Sequence, residues 1–392
     1  MLDQTKIALG DEPSAIRSLF AYGLQRKAEV GAENVYDYSI GNPSVPAPPQ
    51  VRDAIKRLAD EDPVSLHSYS MSSGLLSTRT AIANNICDTW GIDAKPEQVY
   101  VTHGAAAALA IAIEAITVPG DEVIVPTPFF PEYRIWIEQS HAKIVEVPCL
   151  EKTFQLDIDA IEVAITERTA AIIVNSPNNP VGSVYTRESL EALADVLHRA
   201  EEKFNTTIYL IADEPYRAIT YGADVPFIPC IYDRTLLCYS CSKGLSLPGE
   251  RVGYIYVNNL MDNVRETTFA IQGAGRALGY ICCSVMFQRV LEECINIQVD
   301  VAPYRENRDL LTQGLARIGY EFVQPEGAFY LWMRALEPDA EAFSERAKKF
   351  DLLIVPSNSF GSEGYVRLSY CIAKDTIERS MSAFQKLYDS YQ

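Results

Sequence analysis

The chain has 392 residues, 48% of them hydrophobic, and a formal net charge of −18 at pH 7. This is ample for a large core, and without clustered Lys and Arg it argues against a nucleic-acid partner. The longest apolar stretch, Ala105 to Val118, is broken by Glu114 and too short for a bilayer, and the opening residues MLDQTKIALGDEPS lack a long hydrophobic run, so no membrane partner and a cytoplasmic location are expected.

In chain order, Ser14 to about Gly31 has the apolar spacing of an amphipathic helix, with Ile16, Leu19, Phe20, Tyr22 and Leu24 as its apolar candidates, and Val35 to Ile40 that of a short strand. Gly41-Asn42-Pro43 and the prolines at 46, 48 and 49 break the pattern and mark a crossing segment. Helices are expected at Val51 to Leu58 and Gly74 to Trp90, with His67-Ser68-Tyr69 on the link between them. Apolar runs then recur at Gln98 to Thr102, Glu122 to Pro126, Lys143 to Val147, Ala170 to Asn175, Thr207 to Ala212, Thr235 to Ser240 and Gly253 to Val257. Most are separated by segments of helical length, which predicts a seven-stranded, largely parallel sheet in an α/β fold. Only the last link is short, so the final strand is expected to run against its neighbours.

Leu260 to Gln298 is mostly helical in pattern. It contains Gln272-Gly273-Ala274-Gly275, whose G-x-G follows no strand and lacks the acid of a dinucleotide fingerprint. A helix from Pro303 to about Ile318, strands at Tyr320 to Val323, Ala328 to Met333, Leu352 to Val355 and Tyr365 to Tyr370, and a helix from Asp375 to Tyr391 have an α+β character of their own. The expected division is 1–45 as the N-terminal segment of a small domain, 46–298 as the large domain and 299–392 as the rest of the small one. The nine cysteines are scattered and an odd number, as for reduced thiols. Cys238 and Cys241 form one C-x-x-C without a second pair, and the four histidines show no ligand spacing, so no metal is expected.

Ligands of an open parallel sheet bind beyond the carboxyl ends of its strands. There the sequence puts His103-Gly104-Ala105-Ala106 at a helix start, Thr127-Pro128-Phe129-Phe130, Ser176-Pro177-Asn178-Asn179-Pro180-Val181-Gly182, and Asp213-Glu214-Pro215-Tyr216. After the sixth run come Ser240-Cys241-Ser242-Lys243, then a Leu-Pro-Gly turn and Glu250-Arg251. A lysine among hydroxyls, followed by an arginine near glycines, suits an amine that forms an imine with a phosphorylated aldehyde such as pyridoxal phosphate. An ordinary loop lysine has similar neighbours, so that stretch alone does not decide.

Together the motifs do. The ordered set N-x-x-x-N-P-x-G, D-x-x-Y, S-x-S-K and P-G-E-R-V-G-Y resembles the class I/II, fold-type I pyridoxal phosphate-dependent aminotransferases of the aspartate aminotransferase superfamily, over nearly the whole chain. The resemblance implies Lys243 as Schiff-base lysine and proton carrier, Asp213 as partner of the pyridine nitrogen, and Asn179 and Tyr216 as donors to the cofactor's phenolate oxygen. It implies Phe130 on the ring face and Ser240, Arg251 and the N–H groups of Ala105 and Ala106 at the phosphate. Tyr69 would reach the phosphate of a neighbouring subunit in a homodimer with shared active sites. Arg367 matches the arginine that holds the substrate α-carboxylate, and Ile40, Gly41 and Asn42 match the segment lining the side-chain pocket. Arg276 lies near the segment where dicarboxylate-specific relatives carry a second arginine, without a fixed register. One departure is Gly104-Ala105-Ala106-Ala107, where relatives commonly place a polar side chain, which shifts the phosphate's hold toward Ser240 and Arg251. The expected activity is ping-pong transfer of an amino group from an amino acid to a 2-oxo acid, with a C–S β-lyase on the same fold as the alternative. A ligand-sensing regulator with such a domain would need a DNA-binding segment for which the acidic first 40 residues are too short.

Overall fold

The computed structural model describes residues 2–11 and 14–392, so positions 1, 12 and 13 of the expected 1–45 segment lie outside the described residues. The seven apolar runs form one sheet. Its strands are β1 Val99–Thr102, β2 Glu122–Thr127, β3 Lys143–Pro148, β4 Thr169–Asn175, β5 Tyr209–Asp213, β6 Thr235–Ser240 and β7 Gly253–Val257. Their spatial order is β1-β7-β6-β5-β4-β2-β3. β7 is antiparallel to both β6 and β1, whereas β2, β3, β4, β5 and β6 pair in parallel. The reason is the short link after β6, which cannot carry the chain back across the sheet as a helical crossover does.

Both faces of the sheet are covered, so its central strands are apolar on both sides. Successive residues alternate between the two cores. Ile172, Val174 and Leu210 pack with Ile82, Leu193 and Leu197, while Ile173 and Ile211 pack with Leu109, Ile113 and Ile271. The helix Ala105–Ile116 belongs to the second core and lies against the helix Val264–Leu278. The G-x-G of residues 273–275 sits inside that second helix.

A smaller antiparallel sheet joins Val355–Pro356, Tyr365–Ser369, Tyr330–Arg334 and Phe322–Val323 in that spatial order. Around it lies another core, which includes Leu311, Leu331, Phe343, Leu368 and Phe384. The expected strand at 352–355 is divided. Leu352–Leu353 pairs in parallel with Tyr36–Asp37, and Val355–Pro356 joins the antiparallel sheet. The strand expected at 35–40 shortens to those two residues: Tyr38 N–H still bonds the Leu353 carbonyl, but at Ser39 the ladder gives way to side chains, its N–H bonding the Asp37 carboxylate and its carbonyl accepting from Arg367. Among the described residues no helix is long and apolar enough to cross a membrane.

Candidate active site

The parallel strands end on one edge, and their last residues bring the polar motifs together. Asn175 and Asp213 are register partners on β4 and β5, and Ser240 closes β6 opposite Gly253. Between the strand ends and the smaller sheet lies a cavity of about 290 Å³. Its walls include Gly41, Ala105, Ala106, Phe130, Asn179, Asp213, Tyr216, Ser240, Lys243, Arg251 and Arg367, so the fold gathers these expected residues in one place.

Lys243 lies on a single helical turn, Cys241–Gly244, between β6 and β7, and the turn is capped by the Ser240 hydroxyl. Its Nζ donates to the Gly41 carbonyl at 2.6 Å and stands 5.2 Å from the Phe329 ring centre. Burial lowers its pKa to about 8, and Arg367 and Arg251 act in the same direction. An amine in this state exchanges a proton readily near neutral pH. Gly41 can serve here only as glycine, because a Cβ would sit 2.0 Å from the Tyr330 hydroxyl.

Two buried side chains that line the cavity carry polar atoms without a partner. Asp213 is 5% exposed, and its Oδ1 has no partner, while Oδ2 accepts from the Tyr133 hydroxyl and from Asn175 Nδ2 at 3.3 Å. Burial pushes its pKa up to about 7, against the pull of the Tyr133 hydrogen bond. Arg367 is 2% exposed and donates to Asn179 Oδ1 at 3.1 Å and to the Ser39 carbonyl at 2.6 Å, and its Nε is unmet. Burial lowers its pKa, and the groups that offset this are Tyr330, Tyr216 and Cys371 rather than a carboxylate. A buried guanidinium without a carboxylate partner is a receptor for a small anion.

A second anion cradle lies at the start of the Ala105–Ile116 helix, whose first N–H groups have no intrahelical acceptors. Gly104, at φ +83°, leaves room for Arg251: a Cβ there would stand 2.9 Å from Arg251 Nη2. Arg251 Nη1 donates to the Ser242 hydroxyl at 3.3 Å and the Pro248 carbonyl at 2.9 Å, and the Ser240 and Ser242 hydroxyls are 2.8 Å apart. The residues therefore fit pyridoxal phosphate: an anion cradle for its phosphate, an unmet buried carboxylate oxygen for its ring nitrogen, and an amine for its aldehyde.

Asn179 turns its Oδ1 to Arg367, and its N–H bonds Asn175 Oδ1 at 2.7 Å, which leaves Nδ2 available. The Tyr216 hydroxyl is 2.9 Å from that of Tyr330. Four expected residues do not line the cavity: Ile40, Asn42, Tyr69 and Arg276. Tyr69 is 95% exposed and outside its own chain's cavity, and Arg276 is exposed on the Val264–Leu278 helix. Sequence reading missed Tyr133, Asn175, Ser242 and Tyr330. Asn175 was visible as the first residue of N-x-x-x-N-P-x-G, and Ser242 as the middle of S-x-S-K. Tyr133 and Tyr330 gave no local signal, since Tyr133 lies in a mixed helix, EYRIWIEQ, and Tyr330 in a mostly apolar strand, and each reaches the site only through tertiary packing.

Residues 33–384 match the family described as aminotransferase class I and II. A probable aspartate aminotransferase from Methanocaldococcus jannaschii is 30% identical over 96% of this chain and 98% of its own length. An aspartate/prephenate aminotransferase from Thermus thermophilus is also 30% identical, over 96% of each chain. Among solved structures, an amino transferase from Eubacterium rectale is 47% identical with a TM-score of 0.98, covering 100% of this chain and 99% of that one.

Proposed function

The chain belongs to the class I and II aminotransferases and is a pyridoxal phosphate-dependent transaminase; within that activity we propose which of its residues do what. The lyase alternative is not favoured, since the relatives carry aminotransferase names.

Pyridoxal phosphate supplies an aldehyde that condenses with amines and a ring that accepts the electron pair left by a departing α-proton. Arg367 binds the substrate carboxylate through a guanidinium fork and so orients the Cα–H bond, a task for which a lysine's point charge is unsuited. Lys243 Nζ removes the α-proton and returns one on the far side of the exchange, and its lowered proton affinity suits it to both directions. With the cofactor bound, Asp213 Oδ1 would accept from its ring nitrogen, Asn179 and Tyr216 would donate to its ring oxygen, and Phe130 would lie against the ring. Ser240, Arg251 and the N–H groups of Ala105 and Ala106 would hold the phosphate. The observation that carries this reading is that the two unmet buried atoms, Asp213 Oδ1 and Arg367 Nε, belong to residues lining the cavity that also holds Lys243.

The substrates are an amino acid and a 2-oxo acid. The aspartate named in the relatives' descriptions supports an acidic donor. We assign the second-subunit role to Tyr69, in a homodimer whose sites are shared; its exposure together with that of Met71, Leu278, Tyr280 and Ile281 supports this. A cytoplasmic location and the division at 1–45, 46–298 and 299–392 complete the reading, the latter supported by the separate core around the smaller sheet. The test is a panel of amino acids added to the cofactor-loaded protein. Conversion of its visible absorption only by amino acids bearing a free α-carboxylate, with reversal by 2-oxo acids, is the expected result. No spectral response to any of them, or ammonia release without an acceptor, would overturn it.

A further inference from the structure

One buried group outside that mechanism, Tyr133, meets Asp213 directly. Tyr133 is 1% exposed and lies in the first turn of the helix Glu132–Gln139, which follows the end of β2. Its ring is held on several sides: stacked on Phe129 at 6.3 Å, edge-on to Phe130 at 5.8 Å, and tilted against Trp136 at 6.2 Å. So fixed, its hydroxyl meets Asp213 Oδ2. Asn175, the register partner of Asp213, bonds both the same oxygen and the Asp213 carbonyl, the latter at 2.8 Å. One edge of the carboxylate is thus occupied by two donors, and the other edge, Oδ1, is unmet on a residue that lines the cavity.

The geometry points to Tyr133 as a positioning residue for Asp213: by donating to Oδ2 it fixes the carboxylate plane with Oδ1 toward the cavity and keeps the carboxylate ionised against a cationic ring nitrogen. This rests on the reading of Asp213 as the ring-nitrogen partner. A carboxylate buried without donors prefers to be neutral. It would then take the proton from the ring, and a neutral ring withdraws electrons poorly. The other titratable groups facing Asp213 cannot replace the hydroxyl. Glu214 is held by Arg217, Tyr216 is engaged with Tyr330, and Cys238 on β6 is a thiol whose burial keeps it protonated. Tyr133 is the one of these that donates to the carboxylate, and it does so from outside the sheet.

The test compares wild type, Tyr133→Phe, Asp213→Asn and the double variant, each loaded with pyridoxal phosphate, by following the visible absorption against pH. Phenylalanine keeps the ring packing and removes only the donor. Losing the donor transfers the ring proton to Asp213, and a neutral ring leaves the Lys243 nitrogen more basic. The absorption midpoint of Tyr133→Phe is therefore expected to rise by about one pH unit with kcat down about tenfold, the size of one hydrogen bond to a charged group. Asp213→Asn moves the midpoint the same way, and the double variant matches it. 3-Fluorotyrosine placed at 133, a stronger donor, moves the midpoint down. With a cofactor analogue that carries C–H in place of the ring nitrogen, the Tyr133→Phe effect vanishes. A Tyr133→Phe protein whose Tm falls while its midpoint and kcat stay at wild-type values, beside an Asp213→Asn midpoint that does move, overturns the role of Tyr133 alone. An unmoved Asp213→Asn midpoint overturns the Asp213 reading, and the Tyr133 role falls with it.

Discussion

Burial lowers the Lys243 ammonium from 10.5 to about 8, so without cofactor the unfolded chain binds more protons than the folded one between those values. Stability therefore rises with pH through that window, and below about pH 8 the penalty is present in full, at about 3 kcal/mol. Lys243→Met is expected to stabilise the cofactor-free protein at pH 7 by up to about that amount and to flatten the rise, as read by urea melts at pH 7 and pH 10. Asp213 has the opposite slope. Its pKa is raised from 3.8 to about 7, so its contribution is present in full below 3.8 and is lost as pH rises through 7, and Asp213→Asn should remove that loss. Both side chains are held in charge states that suit a ligand better than they suit the empty fold. Arg367 extends the pattern, for its Nε is buried and unmet. Arg367→Lys should lower kcat/KM about a hundredfold, mainly through KM, because one ammonium cannot replace the paired bonds of the fork.

Among the elements, the helix that starts at Ala105 and the turn between β6 and β7 depend on each other. The Gly253 position admits no side chain, since a Cβ would lie 2.3 Å from the Tyr239 carbonyl oxygen and 3.0 Å from Gly104 Cα. Gly104 in turn adopts a φ of +83° and faces the Arg251 guanidinium. These glycines let a helix start and a strand start approach closely, Gly253 lying beside the Gly104 backbone. Gly104→Ala combines a left-handed backbone with a crowded guanidinium, and is expected to weaken cofactor binding about tenfold or more in equilibrium dialysis. Secondary structure content should not change, because Gly104 precedes the helix rather than lying within it.

For the molecule as a whole, the cavity draws walls from both sheets: Asp213 and Ser240 from the large one, with Lys243 on the turn after it, and Tyr330 and Arg367 from the small one. Leu352–Leu353, just before the smaller sheet's edge strand Val355–Pro356, in turn holds the N-terminal segment by pairing with Tyr36–Asp37. If Tyr69 completes the site of a second copy, activity can be rebuilt from two damaged proteins. Mixing Lys243→Ala with Tyr69→Ala chains after mild dissociation should restore roughly a quarter of wild-type activity, since half the dimers would carry one intact site. Activity no higher than that of the Tyr69→Ala chains alone would place Tyr69 in its own chain's chemistry or in none.

The sequence alone determined the strand count, the reversed last strand and most of the residues that line the cavity, because period-two apolar runs, turn residues and short ordered motifs are local properties of the chain. Lys243, Asp213, Asn179, Arg251 and Arg367 were legible for that reason, each within a few residues of recognisable neighbours. Tertiary structure alone decided that the 352–355 stretch serves two sheets and that Lys243 sits on a helical turn. It also decided that Tyr133 meets Asp213 across 80 positions of chain. Such contacts depend on how strands are ordered and where a helix lands after its strand ends, and no window of neighbouring residues contains that information.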